Sequence, residues 1–345
     1  MKVLITGTAG FIGHHLVKAL AREGASIVGI DNINDYYSVD LKYGRLQDTG
    51  IRRREIRPGV AVASESVANY RFIQMDLTDR EGIGRLFERE QFTHVCNLAG
   101  QAGVRYSIED PYAYVMSNVV GFLNLLEACR HHDVKHLVYA SSSSIYGMNT
   151  KVPFAEDDCT DHPVSLYAAT KKSDEAMAYA YSKLYGIQTV GLRFFTVYGP
   201  WGRPDMAPIK FMRAILGGEE IQVYNHGDML RDFTYIDDIV EGVRRVLHAD
   251  IGEPVPYRIY NIGNSAPIRL MDFIRTIERV TGHTARMQML GMQAGDVTQT
   301  YADTSHLQRD FGYRPTTSIE QGVAELYRWY RQFGHLVEPA DKATR

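Results

Sequence analysis

Cysteine is scarce, with three in 345 residues. Cys96, Cys129 and Cys159 are odd in number and lack metal-ligand spacing, which excludes a disulfide framework and fits a reducing cytosol, where buried thiols act as small hydrophobes. Long apolar runs are missing too: none reaches the ~18 residues that a membrane span needs. Nor does one charge dominate. Against 41 Asp and Glu stand 38 Lys and Arg, a formal net charge of -3, which argues against nucleic acid or an anionic membrane as the main partner. The Arg52-Arg53-Arg54 run, beside Pro58 and Gly59, reads as a solvated loop rather than a phosphate-binding arm. Internal repeats and low-complexity tracts are absent, and none of the 12 histidines pairs with metal ligands, so no metal is expected. The N-terminus enters directly on Lys2-Val3-Leu4-Ile5 and then glycines, a strand and turn rather than a signal peptide. A soluble, cytoplasmic protein is expected.

What is present is an ordinary globular composition, 45% hydrophobic and 23% charged, in a chain long enough for a large core. Short apolar runs alternate with helical patterns. Strands are expected at Val3–Ile5, Ser26–Ile30, Arg71–Gln74, His94–Leu98, His136–Ala140 and Thr189–Leu192, with helices through Leu16 and Leu20, Leu86-Phe87, Val119–Cys129 and Tyr167–Leu184. Val, Ile and Leu strands separated by helices indicate a parallel sheet covered on both faces. The fold class is α/β, a Rossmann-type doubly wound parallel sheet. After about Thr196 the rhythm changes and Gly and Pro become frequent. Residues 1–195 read as the dinucleotide-binding domain, 196–335 as a smaller mixed α/β substrate domain, and 336–345 as a tail frayed from about Gly334. Residues 233–262 are candidates to return to the main sheet. Tyr36 to Asn69 reads as a helix plus a surface insertion.

Gly7, Gly10 and Gly13 follow the first strand and open the first helix, around Phe11 and Ile12. Glycine there permits a tight turn and close backbone approach to a pyrophosphate, and the helix N-terminus offers free N–H groups. Asp31 ends the second strand, where a carboxylate accepts from the adenosine ribose hydroxyls. Asn32 follows it, with no arginine at hand for a 2′-phosphate, which favours NAD over NADP. Asp76-Leu77 ends the third strand, where Asp76 caps either the adenine ring or the next helix. Leu98, Ala99 and Gly100 end the fourth, where small residues let a cofactor cross the sheet edge.

Tyr167 and Lys171 are placed one turn apart on the face of a predicted helix. An isolated phenol titrates near ~10 and is a poor base at neutral pH. A nearby ammonium and a positive nicotinamide stabilise its phenolate. The run Ser141-Ser142-Ser143-Ser144 follows the fifth strand, where a hydroxyl can bond the same oxygen that Tyr167 deprotonates.

With these motifs in this order, the chain resembles the extended short-chain dehydrogenase/reductase family of nucleotide-sugar epimerases, dehydratases and decarboxylases. The resemblance runs from the glycine loop to about Tyr313. It implies that Ser142 is the catalytic hydroxyl, Tyr167 the base, Lys171 its activator and the holder of the nicotinamide ribose, and Asn118 an asparagine lining the site. Dehydratases carry an acid just after the catalytic hydroxyl, whereas this chain has Ser143 and Ser144. The segments Arg193–Ala207 and Gln101–Ser107 resemble the signatures of UDP-glucuronate 4-epimerases. That implies a UDP-sugar substrate, with Thr196, Ser143 and Arg203 as candidates for the uronate carboxylate. Arg203 as a surface arginine, and Arg105 as a carboxylate ligand or a loop-ordering residue, stay open. Gln222 and Tyr224 read as a strand facing uracil, Arg231 is implied at the phosphates, and Asp296 at the uridine ribose. Asp237 reads as a helix N-cap.

The implied reaction oxidises C4, turns the 4-keto sugar over and reduces it from the other face, with NAD staying bound. A UDP-glucuronate decarboxylase, a 4-epimerase of neutral UDP-hexoses and an inactive NAD(H) sensor are the alternatives. Apolar residues from Ala176 to Tyr181 surround the Tyr167 helix, which suggests contact on two faces, one with the core and one with a second subunit of a homodimer.

Overall fold

In the computed structural model, which describes residues 1–134, 136–252, 255–292 and 297–337, Val3, Leu4 and Ile5 are all fully buried, yet they face two different cores. Successive strand residues point to opposite faces, so a strand covered on both sides reads as an unbroken apolar run. The same alternation puts Ile27, Phe72 and Val190 on one side and Val28, Ile73 and Leu137 on the other. Burying each such side chain contributes about 1.5–3 kcal/mol.

These strands form one eight-stranded sheet. In chain order they are β1 (Lys2–Thr6), β2 (Ser26–Asp31), β3 (Ala61–Ala63), β4 (Tyr70–Gln74), β5 (His94–Asn97), β6 (His136–Ser142), β7 (Gln188–Phe194) and β8 (Tyr257–Ile262). Across the sheet they run β8-β7-β6-β5-β1-β2-β4-β3. All neighbours are parallel except β3, which lies antiparallel on β4. The order reverses between β1 and β5, and open α/β sheets bind ligands at the carboxyl ends beside that switch point. The Phe11–Arg22 and Ile236–Leu247 helices cover one face. The Arg80–Glu90, Gly121–His131 and Leu166–Tyr185 helices cover the other.

Beyond Thr196 the chain builds short pairs. Thr196–Tyr198 lies parallel to Phe233–Tyr235, Glu220–Val223 parallel to Arg286–Met289, and Leu230–Arg231 antiparallel to Ile268–Arg269. The Ala207–Gly217, Leu270–Thr281 and Ile319–Phe333 helices pack beside them, with Phe233 stacked on Phe273 at 4.3 Å between ring centroids. This core is continuous with that under the sheet. Between the short pairs, the chain returns through β8 to the β7 edge.

Three local readings change. Asp237 is not an N-cap: Tyr235 holds that position, and Asp237 sits in the first turn behind it. The segment after Gly334 is not frayed as far as it is described, because Val337 is buried and Ser38 Oγ donates to the Leu336 carbonyl at 2.7 Å. The inner face of the Leu166–Tyr185 helix is not apolar; it carries Lys171, Asp174, Glu175 and Ser182 beside Ala168 and Ala178. In the arginine run, Arg53 and Arg54 are exposed and Arg52 is half-buried, with Arg52 paired to Glu65 and Arg53 to Asp40.

His136 opens β6 almost fully buried, with Gln188 Nε2 donating to its Nδ1 at 3.2 Å. Burial first, then the neighbouring His94, pushes its pKa down from 6.5 to about 3. A histidine held neutral by the fold stabilises fully above its unfolded pKa, and that contribution is lost as pH falls from about 6.5 towards 3. His136→Asn keeps an acceptor for Gln188 and is expected to flatten the pH dependence of unfolding in that window by up to about 1.4 kcal/mol per pH unit. Equal slopes for the two proteins in urea titrations between pH 6.5 and 4 would rule this out.

Candidate functional site

A single cleft runs along the carboxyl ends of the sheet, from the glycine loop to Thr196, Arg203 and Met206. Gly7 leaves β1 at φ +76°, and a Cβ there would come within 2.9 Å of the Ala99 nitrogen. At Gly10 it would come within 2.8 Å of the Gly7 carbonyl oxygen. At Gly13 it would come within 2.8 Å of the Gly7 carbonyl carbon and closer still to its oxygen. The three glycines therefore let loop, helix and the end of β5 meet backbone to backbone. The helix they open has Gly10 as N-cap with no side-chain cap, so first-turn N–H groups are left for a ligand. This cradle fits a dinucleotide pyrophosphate.

Asp31 stands at the end of β2 on the cleft wall. Its Oδ2 accepts from Ala9 N at 3.1 Å and its Oδ1 from Ile33 N at 2.8 Å. A carboxylate offers about four acceptor positions, so two remain for hydroxyls. Asn32 Nδ2 donates to Asp76 Oδ2 at 2.7 Å, and Asp76 Oδ1 accepts from Thr78 N and Oγ1. Burial pushes the Asp76 carboxyl up, but these hydrogen bonds outweigh it and hold it low. Asp76 is not the cap of the next helix; Asp79 is, accepting from Gly82 N. Phe11, Ile12, Leu77, Leu98 and Ala99 complete this half.

The central wall comes from β6 and the Leu166–Tyr185 helix. Ser141 turns away, donating to Glu175 Oε1 at 2.6 Å, and Arg193 grips both oxygens of that carboxylate at 2.9 and 3.0 Å. Ser142 and Ser143 face the cleft, with Ser142 Oγ accepting from Ser144 N at 3.2 Å. Ser165 caps the helix by accepting from Ala168 N, which fixes Tyr167 in its first turn. Lys171 follows one turn later, its Nζ 3.1 Å from Asp174 Oδ2. Asn118 does not line the cleft. It lies in π-type turns over Val115–Val120, buried, with Oδ1 accepting from Gln101 N and Nδ2 donating to Gln101 O and Thr170 Oγ1. It braces the wall from behind.

At the far end Thr196 lies just past β7 and Arg203 projects from the following loop. Arg203 is already paired: Nε and Nη2 donate to the two oxygens of Asp205 at 3.0 and 2.5 Å, and Tyr36 OH donates to Asp205 Oδ2 at 3.2 Å. Burial raises Asp205, but the guanidinium outweighs it and holds the carboxyl below its ordinary range. Burial and the Asp205 charge push the Tyr36 phenol up to about 12.

The Tyr36–Asn69 segment is more than a surface insertion. Tyr36, Tyr37 and Lys42 line the cleft, and Arg45, on the Val39–Asp48 helix, is fully buried. Arg45 donates to Ala9 O at 2.9 Å, Trp201 O at 2.7 Å, Gly202 O at 3.2 Å and Tyr37 OH at 2.6 Å. It ties the glycine loop to the loop that carries Arg203. The sequence signal for this helix's buried face is Leu41 and Leu46 flanking Lys42 and Arg45. Asp205 is signalled only by the Arg-x-Asp spacing.

Gln222, Tyr224 and Arg231 lie outside the cleft lining. Gln222 is exposed and accepts from Tyr224 OH, the Arg105 guanidinium sits 5.4 Å over the Tyr224 ring, and Arg231 donates to Leu230 O and Thr298 O. Asp296 falls outside the described residues.

The model of the NAD dependent epimerase/dehydratase family matches residues 3–263. The chain is 49% identical to Protein CapI of Staphylococcus aureus, covering 96% of this chain and 99% of that one. It is 45% identical to UDP-glucuronate 4-epimerase 4 of Arabidopsis thaliana, over 96% of this chain and 75% of that protein. Among solved structures, the UDP-glucuronic acid 4-epimerase of Bacillus cereus in complex with UDP-glucuronic acid and NAD superposes with a TM-score of 0.85 at 32% identity, over 96% of this chain and 100% of that one.

Proposed function

The chain belongs to the NAD dependent epimerase/dehydratase family, and from that premise we infer that it inverts C4 of UDP-glucuronate to give UDP-galacturonate through a 4-keto sugar, without loss of CO2. The observation that carries this reading is a cleft joining a dinucleotide cradle to Ser142, Ser143, Tyr167 and Lys171, with Thr196 and Arg203 at its far end and no acid beside Ser142. Gly7, Gly10, Gly13, Asp31, Asp76 and Lys171 hold NAD. When bound, NAD supplies the acceptor for the C4 hydride and gives it back, so it is regenerated every turnover.

The chain's own residues handle protons and orientation. Tyr167 takes the O4 proton as C4 is oxidised, and Ser142 hydrogen-bonds the same oxygen. The keto sugar turns about its diphosphate linkage and presents its other face, and Tyr167 returns the proton. The intermediate is a β-keto acid, whose carboxylate leaves readily only when its bond stands perpendicular to the ketone plane. Ser143, Thr196 and Arg203 hold the carboxylate out of that alignment. Because Asp205 already balances Arg203, the hydroxyls and the open edge of the guanidinium share this task.

Residues 196–335, apart from the Ile236–Leu247 helix and β8, which join the main sheet, close over residues 1–195 and hold the nucleotide half, with Gln222, Tyr224, Arg231 and Asp296 assigned to the uridine diphosphate. A second copy of the chain covers Ile108 and Tyr112, each 80% exposed, with Met116, Leu123, Tyr179 and Leu184. That apolar area supports a homodimer. No helix among the described residues is long and apolar enough to cross a membrane, and the three cysteines are free, which supports a cytoplasmic setting.

The test is NMR of purified protein with UDP-glucuronate and no added cofactor. UDP-galacturonate without CO2 is expected. UDP-xylose or a 4-keto pentose would make the enzyme a decarboxylase and remove the roles given to Thr196 and Arg203.

A further inference from the structure

Behind Lys171, on the side away from the cleft, lies a carboxylate that the mechanism above does not use. Asp174 is one turn further along the same helix, with its side chain 1% exposed and Lys171's 5%. Lys171 lines the cleft and Asp174 does not. Any ligand in the cleft therefore meets the ammonium, while its counter-charge is hidden in the wall. A Cβ on Gly100 would lie 3.3 Å from Lys171 Nζ, which puts the ammonium directly under the backbone that closes the middle of the cleft.

Glu175 cannot play this part, since Arg193 and Ser141 already occupy it. The Glu175 carboxylate also faces Asp174, and so does Tyr139 on β6, which is fully buried. Asp174 Oδ1 has no hydrogen-bond partner. A buried carboxylate with an idle oxygen is costly unless its charge is used. Burial pushes this carboxyl up to about 7 against the pull of Lys171, so it carries its full charge only above neutrality.

We propose that Asp174 is a positioning residue that holds Lys171 and balances its charge, and thereby sets the ratio of oxidised to reduced nicotinamide in the resting and working enzyme. Oxidised nicotinamide carries a positive ring charge and the reduced form does not. Two electrons and a proton leave C4 as hydride, and the O4 proton goes to Tyr167. A bare ammonium beside the ring therefore favours the reduced side, whereas a balanced one leaves the exchange close to even. A reversible oxidation and reduction at C4 within one turnover needs that evenness. The proposal rests on the cofactor reading of the preceding section.

Asp174→Asn keeps the volume and removes the charge. Purified protein is mixed with UDP-glucuronate, and the near-UV absorbance of reduced nicotinamide is divided by total nicotinamide released on denaturation, so altered occupancy does not enter. The reduced-to-oxidised ratio is expected to rise roughly tenfold over wild type. Followed until it no longer changes, so that slower hydride transfer does not enter, it should fall back in Lys171→Met/Asp174→Asn, where no unbalanced ammonium remains. An unchanged ratio in Asp174→Asn, or a rise that persists in the double variant, overturns the proposal. Should Asp174→Asn be insoluble, a soluble double variant supports the pairing and an insoluble one makes Asp174 merely structural. Wild type that makes no UDP-galacturonate would instead fail the reaction assigned above.

Discussion

Replacing Tyr167 by phenylalanine is expected to lower kcat by about 10²- to 10⁴-fold, the usual worth of a positioned acid–base group, while nicotinamide content and UDP-sugar affinity stay near wild type. The ring is held without help from its hydroxyl. Ser165 fixes the start of the helix, and the Tyr167 ring meets the edge of Tyr114 at 6.0 Å between centroids. Tyr114 is anchored by donating to the Ala102 and Gly103 carbonyls. Removing one oxygen leaves this scaffold in place, so thermal stability should move by no more than about 0.5 kcal/mol. The drop should appear in kcat and not in KM, because the proton moves only as C4 is oxidised. Turnover within threefold of wild type in the NMR assay would transfer the base to another group.

Gly13→Ala is expected to strip the protein of its cofactor. The new methyl would overlap the Gly7 carbonyl, and neither partner is the flexible end of a side chain. Backbone must shift, at a cost of about 1–3 kcal/mol for such overpacking, which, taken from the bound state, corresponds to roughly 5- to 150-fold weaker NAD binding. Purified Gly13→Ala should carry little nicotinamide and regain activity only as NAD is added. Gly84→Ala is the control. It lies inside the Arg80–Glu90 helix with nothing within 4 Å of the added Cβ, and should stabilise the protein by about 0.5–1 kcal/mol. Full nicotinamide occupancy in Gly13→Ala would show that the loop tolerates a side chain.

The sheet is legible because its strands are buried on both faces, so Val3–Ile5 or Val28–Ile30 can hardly be anything else. β3 is not, because three residues with only Val62 buried have no period to read. The cleft residues on strand ends and on the glycine loop are visible for a local reason: special backbone or a fixed offset from a strand is written in neighbouring letters. Asp79 capping in place of Asp76 turns on which residue stands directly before the helix, a matter of three positions. Arg203, Asp205 and Tyr36 meet across 167 to 169 residues of chain, and Arg45 meets Trp201 across 156. No spacing rule predicts such long-range pairs. Asp174 reads as one more surface acid on a charged helix until its neighbours are placed.

The Arg45 tie also dictates when the enzyme can exist during its own synthesis. Two of its acceptors, the Ala9 carbonyl and the Tyr37 hydroxyl, are made early, but the other two come from residues 201 and 202, so a nascent chain that has released only its first strands holds a guanidinium that is half satisfied. The glycine loop can curl early, but its anchor arrives only when some 200 residues have left the ribosome, a pairing of high contact order. Capture of the nucleotide is therefore a late event of folding, and ribosome-bound intermediates shorter than this should neither retain nicotinamide nor protect residues 36–48 from proteases.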